Sequence, residues 1–111
     1  MKHSGADIEM VTRRIERAIR DLIASVSREP FWVTHYGAND IDPGHLVYWI
    51  CVETDTERDR LANHRELNQN LRRLLTEYGY PVEGRDGASI GFESQETVDR
   101  EFGGNWRHHW Q

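Results

Sequence analysis

The chain has 111 residues, of which 37% are hydrophobic and 30% charged, with 14 Lys+Arg against 19 Asp+Glu. This length predicts one domain spanning residues 1–111, and the composition is typical of a folded protein rather than a disordered one. The formal net charge of −5 disfavours a nucleic-acid binder or an anionic-membrane binder, because both need a positive surface.

The first predicted element is an amphipathic helix over about residues 6–28. Its apolar residues recur at spacings of three or four, and they are Ile8, Val11, Ile15, Ile19, Leu22 and Val26. Pro30 prevents the helix from continuing past about Glu29.

Two strands are predicted next, joined by a loop. Residues 31–36 are rich in aromatic and β-branched side chains, and Gly37 ends this run. Pro43 and Gly44 form a turn signal before a second apolar run over residues 45–53. Both faces of the second strand are largely apolar, so we expect it to be central and covered on both sides.

The remaining predicted elements follow from leucine spacing, caps and glycines. In order they are a long helix over residues 56–78, a strand over 88–93, a short helix over 95–102 and an edge strand over 105–110. The order α-β-β-α-β-short α-β predicts an α+β two-layer sandwich. Its sheet would be antiparallel or mixed, with about four strands and with the two long helices on one face.

Catalytic and cofactor motifs are absent from the sequence. It contains no phosphate-binding loop, dinucleotide fingerprint, zinc-protease motif or nucleophile elbow, so we expect no cofactor and do not favour an enzyme. The single cysteine, Cys51, excludes an intramolecular disulfide and a cysteine zinc cluster. Its apolar neighbours are typical of a small buried residue.

An alternative function depends on histidines and carboxylates near the predicted hairpin. His35 and His45 flank the loop that carries Asp40 and Asp42. These two histidines are the candidate ligands if a metal ion binds. Glu53 ends the second strand and would face the same rim. A cleft formed by these groups would make the protein a small enzyme or a ligand-binding or metal-binding protein.

Arginines mark one side of the first predicted helix. Arg13, Arg17 and Arg20 lie away from its apolar stripe. The spacing allows i,i+4 ion pairs, such as Glu9 with Arg13 and Arg17 with Asp21, which would make this a solvated face. The alternative is a docking surface for an acidic partner, because arginine is enriched in protein interfaces.

Acidic residues gather near the hairpin loop and at the start of the second long helix. They are Asp40, Asp42, Glu53 and Asp55. These carboxylates would contact a basic partner. Alternatively, Asp40 and Asp42 would solvate and cap the loop, and Asp55 would stabilise the positive end of the helix dipole.

Aromatic residues mark the last predicted strand, which follows a double glycine. Trp106 and Trp110 share one face of this strand and would cap the core, while Arg107 lies on the other face. On an exposed edge strand they would instead bind another protein, or a second copy of the chain as a homodimer.

The most economical function is a non-catalytic protein-binding module. The start of the chain lacks the apolar stretch of a secretory signal, and no run approaches the roughly 20 apolar residues of a membrane helix, so we expect a cytoplasmic location and no membrane contact. Lys2 is the only lysine, a bias towards arginine that is typical of a high-GC bacterial gene. In size, charge and α/β content the chain resembles bacterial immunity proteins and small acidic chaperones of secreted effectors.

Overall fold

The chain forms an α+β fold around a three-stranded mixed sheet. The structure, a computed structural model, describes residues 5–38 and 41–106. The first elements are helix α1 (Gly5–Val26), strand β1 (Trp32–Tyr36), a 3₁₀ turn (Pro43–His45) and strand β2 (Val47–Val52). β1 pairs antiparallel with β2, which confirms the predicted pairing of the first two strands.

Further helices and the last described strand of the sheet follow between residues 55 and 102. They are α2 (Asp55–Ala62), α3 (Arg65–Glu77), α4 (Val82–Arg85), β3 (Ser89–Ser94) and α5 (Gln95–Phe102). β3 pairs in parallel with β2, so the strand order is β1-β2-β3. The mixed sheet, the central place of β2 and the bounds of α5 confirm the predictions.

The main core lies between the long helices and one face of the sheet. The sheet contributes Val33, Tyr48, Ile50 and Val52, α1 contributes Ile15, Ile19 and Ile23, and α3 contributes Leu67, Leu71 and Leu75. The buried Tyr48 hydroxyl donates a hydrogen bond to the Thr12 carbonyl oxygen at 2.6 Å. Helix α1 is therefore attached to the central strand by a polar contact inside the core.

The prediction of one long second helix is wrong, because the chain breaks into α2 and α3. The Leu61 to Leu67 spacing is consistent with the break: in a continuous helix, six residues at about 100° each would place Leu67 about 120° around the helix axis from Leu61, off the same apolar face. Asn63 ends α2, and the His64 side chain caps α3 by accepting from the Leu67 N–H at 3.1 Å. The Asn68 side chain crosses the break and donates to the Leu61 carbonyl oxygen at 3.0 Å.

The predicted fourth strand is not confirmed, since the described part of the chain has three strands. Gly103 and Gly104 have φ angles of 61° and 78°, a left-handed conformation that glycine adopts without strain. They turn the chain so that Trp106 contacts Trp32 rather than extending a strand. The rest of the predicted strand, residues 107–110, lies outside the described residues.

The attachment of the 3₁₀ turn to the helical layer can be tested by substituting Tyr80. Its buried hydroxyl donates to the Pro43 carbonyl oxygen at 2.5 Å. We expect Tyr80→Phe to lower the free energy of unfolding by about 1 kcal/mol in urea titrations, because a buried hydrogen bond is lost. The matched control is Tyr78→Phe, whose ring is 40% exposed. Equal changes in the two variants would contradict this role.

Candidate functional site

Two helices begin at one edge of the sheet. The carboxyl ends of β2 and β3 meet there because these strands are parallel. The Thr54 hydroxyl caps α2 by accepting from the Glu57 N–H at 3.2 Å. The Ser94 hydroxyl caps α5 by accepting from the Thr97 N–H at 3.1 Å. Each cap satisfies a backbone donor that has no partner within its helix.

Asp55, a predicted interaction residue, joins these two helix starts. Its carboxylate accepts hydrogen bonds from the Ser94 hydroxyl and, at 2.7 Å, from the Thr97 hydroxyl. The Arg100 guanidinium donates to the other carboxylate oxygen at 2.9 Å, and the Asp55 N–H donates to Glu96 at 2.7 Å. The hydrogen bonds from Ser94, Thr97 and Arg100 hold the pKa of the Asp55 carboxyl well below its usual range. We call these five residues the Asp55 cluster.

The partners of Asp55 were not predicted, although the sequence carries a signal for them. Residues 53–60 and 93–100 share a pattern of Glu, then Thr or Ser, then Asp-Arg five residues later. The structure places the two segments at equivalent positions, each from the end of a parallel strand into a helix. A search for short similarities would have paired these helix starts.

Two further carboxylates at this edge are bound internally. Glu29 accepts from the backbone N–H groups of Glu53 and Thr54, both at 3.0 Å. Glu57 is buried and accepts from the Arg60 guanidinium and the Arg28 N–H, and these contacts lower the pKa of Glu57 to about 2. These carboxylates hold elements together and are not available to a partner.

The two candidate metal ligands contact different carboxylates. His35 Nδ1 lies 2.8 Å from Glu16 of α1, and His45 Nε2 lies 3.0 Å from Asp42 in the turn before β2. Within residues 5–38 and 41–106, no group of three or more His, Cys, Asp or Glu side chains is arranged to hold a metal ion.

The proposed His/carboxylate cleft is not assembled from the described residues. Glu53 follows the end of β2 and His45 precedes its start, so the whole length of the strand, about 16 Å, lies between them. Asp40 lies outside the described residues. Cys51 is fully buried, and burial, with the nearby Glu93 carboxylate, raises the pKa of its thiol to about 12. This thiol is not suited to act as a nucleophile.

The arginines predicted on α1 divide into bound and unbound groups. Arg13 binds Glu9 at 2.5 Å, and Arg20 binds Glu16 at 3.2 Å. Arg17 is exposed, and in the described part of the chain it forms no ion pair with a carboxylate, including its expected partner four residues on. The predicted solvated, ion-paired face therefore describes Arg13 and Arg20 but not Arg17.

Trp106 lies against the sheet at the end of the described chain. Its indole N–H donates to the Gln95 side-chain oxygen at 2.9 Å. Its ring meets Trp32 edge to face, with the ring centroids 5.1 Å apart. The other two predicted residues of this segment, Arg107 and Trp110, lie outside the described residues.

The second face of the sheet points away from the main core. It carries Trp32, Thr34 and Tyr36 on β1, Val47, Trp49 and Cys51 on β2, and Ser89, Gly91 and Glu93 on β3. Cys51 and Val98 of α5 are buried outside the main core, while Trp32 and Tyr36 are 38% and 43% exposed. The prediction that β2 is covered on both sides is thus correct for only part of its length.

Aromatic rings cover the open part of this face. The Trp49 indole N–H donates to the Tyr36 hydroxyl oxygen at 3.3 Å. The Trp49 ring lies over Gly91, where an added Cβ would lie 2.9 Å from a ring carbon. We call Trp32, Thr34, Tyr36, Trp49 and Gly91 the aromatic face. Trp49 was expected to be covered with the rest of β2, and no surface was predicted for Trp32 and Tyr36, although the alternation in residues 32–36 places these two rings on one side of the strand.

No protein-family model matches this chain, and neither a curated protein nor a solved structure shows significant similarity to it. Among the helices of the described residues, none has the length and apolar character needed to cross a membrane.

The Asp55 cluster predicts a pH-dependent contribution to stability. Because the pKa of Asp55 is lower in the folded chain than in the unfolded one, its contribution is complete above about pH 4 and is lost as the pH falls further. We expect Asp55→Asn to lower the free energy of unfolding at neutral pH, with the difference from the parent chain shrinking below about pH 4. Asp21→Asn, at an exposed position on α1, is the control. A difference that does not change with pH in urea titrations would contradict this role.

Proposed function

We propose that the protein is a non-catalytic protein-binding module of the bacterial cytoplasm and that the aromatic face is its binding surface. One observation carries this proposal: Trp32 and Tyr36 are 38% and 43% exposed on the side of the sheet opposite the core, next to Trp49. Tryptophan and tyrosine are the residue types that most often dominate binding energy at protein interfaces.

The charge of this surface favours an apolar partner. Of the nine residues on the second face of the sheet, only Glu93 is ionic, and its carboxylate binds Arg58 at 3.0 Å. A surface that stacks nucleic-acid bases also needs cations for the phosphates, and the aromatic face has none. The partner therefore presents apolar side chains.

The size of the aromatic face limits what it binds. Three strands cover about 10 Å across, and the five residues of β1 extend for about 13 Å. One α-helix with its side chains has a diameter of about 10 Å. We propose that the occupant is one amphipathic helix of a partner protein, which lies across the strands with its apolar side on the rings.

The internal contacts of the ionisable groups support a non-catalytic role. Asp55 and Glu57 bind other parts of the chain, and His35 and His45 each contact a different carboxylate. Homodimerisation through residues 105–110 stays a separate prediction, which depends mainly on residues outside the described part of the chain.

Tyr36 and Tyr78 provide a matched test, because they are the same residue type and are 43% and 40% exposed. The full chain is used to isolate a stoichiometric protein partner from its native lysate, and the purified pair is measured by calorimetry. We expect Tyr36→Ala to weaken binding by about tenfold or more, because a central aromatic contact is lost. Tyr78→Ala should change the affinity by less than about twofold.

A photo-crosslinking residue adds a positional readout. It replaces exposed Ser89, on the same side of the sheet as the aromatic face, or exposed Ser25 on α1 as the control. We expect crosslinks to one helix of the partner from position 89 only. Equal effects of the two tyrosine variants, no stoichiometric partner, or turnover of a metabolite by the purified chain would overturn the proposal.

A further inference from the structure

Helix α1 presents a second surface on its outer side. Met10, Arg13, Arg14 and Arg17 are exposed and lie within one stripe of the helix, since each residue advances the side chains by about 100°. Ile15 and Ile19 are buried on the opposite side of α1, against the core face of the sheet. We call the four exposed residues the arginine stripe. The arginine stripe therefore points away from the aromatic face.

Two charges in the arginine stripe are uncompensated. Glu9 neutralises Arg13 at 2.5 Å, but Arg14 and Arg17 have no carboxylate within ion-pair distance in the described part of the chain. Several arginines elsewhere are engaged: Arg58, Arg60 and Arg100 bind carboxylates, and Arg72 and Arg85 donate to backbone carbonyl oxygens. Arg65 and Arg73 on α3 are also exposed and form no ion pair within the described residues, but they lie about two turns apart. What distinguishes Arg14 and Arg17 is their spacing of one helical turn, which brings two positive charges without a carboxylate partner among the described residues to one face of α1.

We infer that the arginine stripe binds an acidic amphipathic helix of a protein partner. Arg14 and Arg17 are one turn apart, so their guanidinium groups match two carboxylates spaced one turn apart on a facing helix. A guanidinium group donates two parallel hydrogen bonds to a carboxylate. Met10 is 51% exposed and lies one turn before Arg14, where it contacts an apolar side chain of the same partner helix.

Three features favour a protein over a phosphate polymer. The positive surface is short, whereas nucleic-acid binding draws on many phosphate contacts. The net charge of −5 opposes the binding of a long polyanion. Because salt screens charges that lie more than about 8 Å away, the contact between the arginine stripe and a short acidic helix stays attractive. The exposed methionine supplies apolar area that a phosphate chain would not use.

The test uses the full chain and a synthetic helical peptide of about 16 residues, which carries Glu and Leu on one face. The variant Arg14→Glu/Arg17→Glu is compared with Arg65→Glu/Arg73→Glu, which changes two exposed arginines on α3. Both double variants shift the net charge equally, so a difference between them reports position. We expect the α1 variant to weaken peptide binding by about tenfold or more at low salt, and the α3 variant by less than about threefold.

Further measurements decide what the surface recognises. A peptide with Gln in place of Glu should bind at least about tenfold more weakly, and added salt should reduce the affinity of the Glu peptide. Tyr36→Ala should leave peptide binding unchanged, which separates this inference from the fate of the aromatic face. The inference is overturned if the two double variants lose affinity equally, if the Gln peptide binds as well, or if a single-stranded oligonucleotide binds more tightly. Circular dichroism checks that each variant is folded.

Discussion

Parallel pairing of β2 with β3 places two helix starts at the same edge of the sheet, and much of the remaining architecture depends on this arrangement. Backbone N–H groups at both starts need acceptors, which the Thr54 and Ser94 hydroxyls supply, while Asp55 joins the two helices. Because α5 begins directly at the end of β3, its direction is set at this edge of the sheet. Two left-handed glycines after α5 then return the chain to the sheet, where Trp106 contacts Trp32. This contact covers one end of the second sheet face and leaves the Tyr36 end open.

The formal net charge gives little information about the surfaces of this protein. Glu29, Asp55 and Glu57 are acidic residues that hold loops and helix starts together. Their negative charges are directed inward to hydrogen-bond donors, whereas Arg14 and Arg17 are exposed on α1. A partner approaching α1 meets positive charge, and one approaching the open side of the sheet meets mostly uncharged rings.

Helices and strands whose ends are set by residues adjacent in the sequence were predicted from local signals such as caps and glycines. The Ser94 cap and the glycine at 103 define α5, so its predicted bounds are correct. Parallel pairing of β3 was predicted only as one alternative: a helical crossover between two strands is typical of parallel pairing, but it does not decide which strand β3 joins, because the paired residues lie about 40 positions apart. The aromatic face was missed for a related reason: Trp32 and Tyr36 have the composition of core residues, and only tertiary packing decides whether a helix covers them.

The buried thiol of Cys51 has a practical consequence. It is the only cysteine in the chain, it is fully buried, and its pKa is raised to about 12, so thiol-directed reagents will find almost no thiolate in the folded protein. A cysteine introduced at an exposed position would therefore be the single reactive site. Fluorophores and spin labels can be attached to α1 or to the open side of the sheet without first removing the native cysteine.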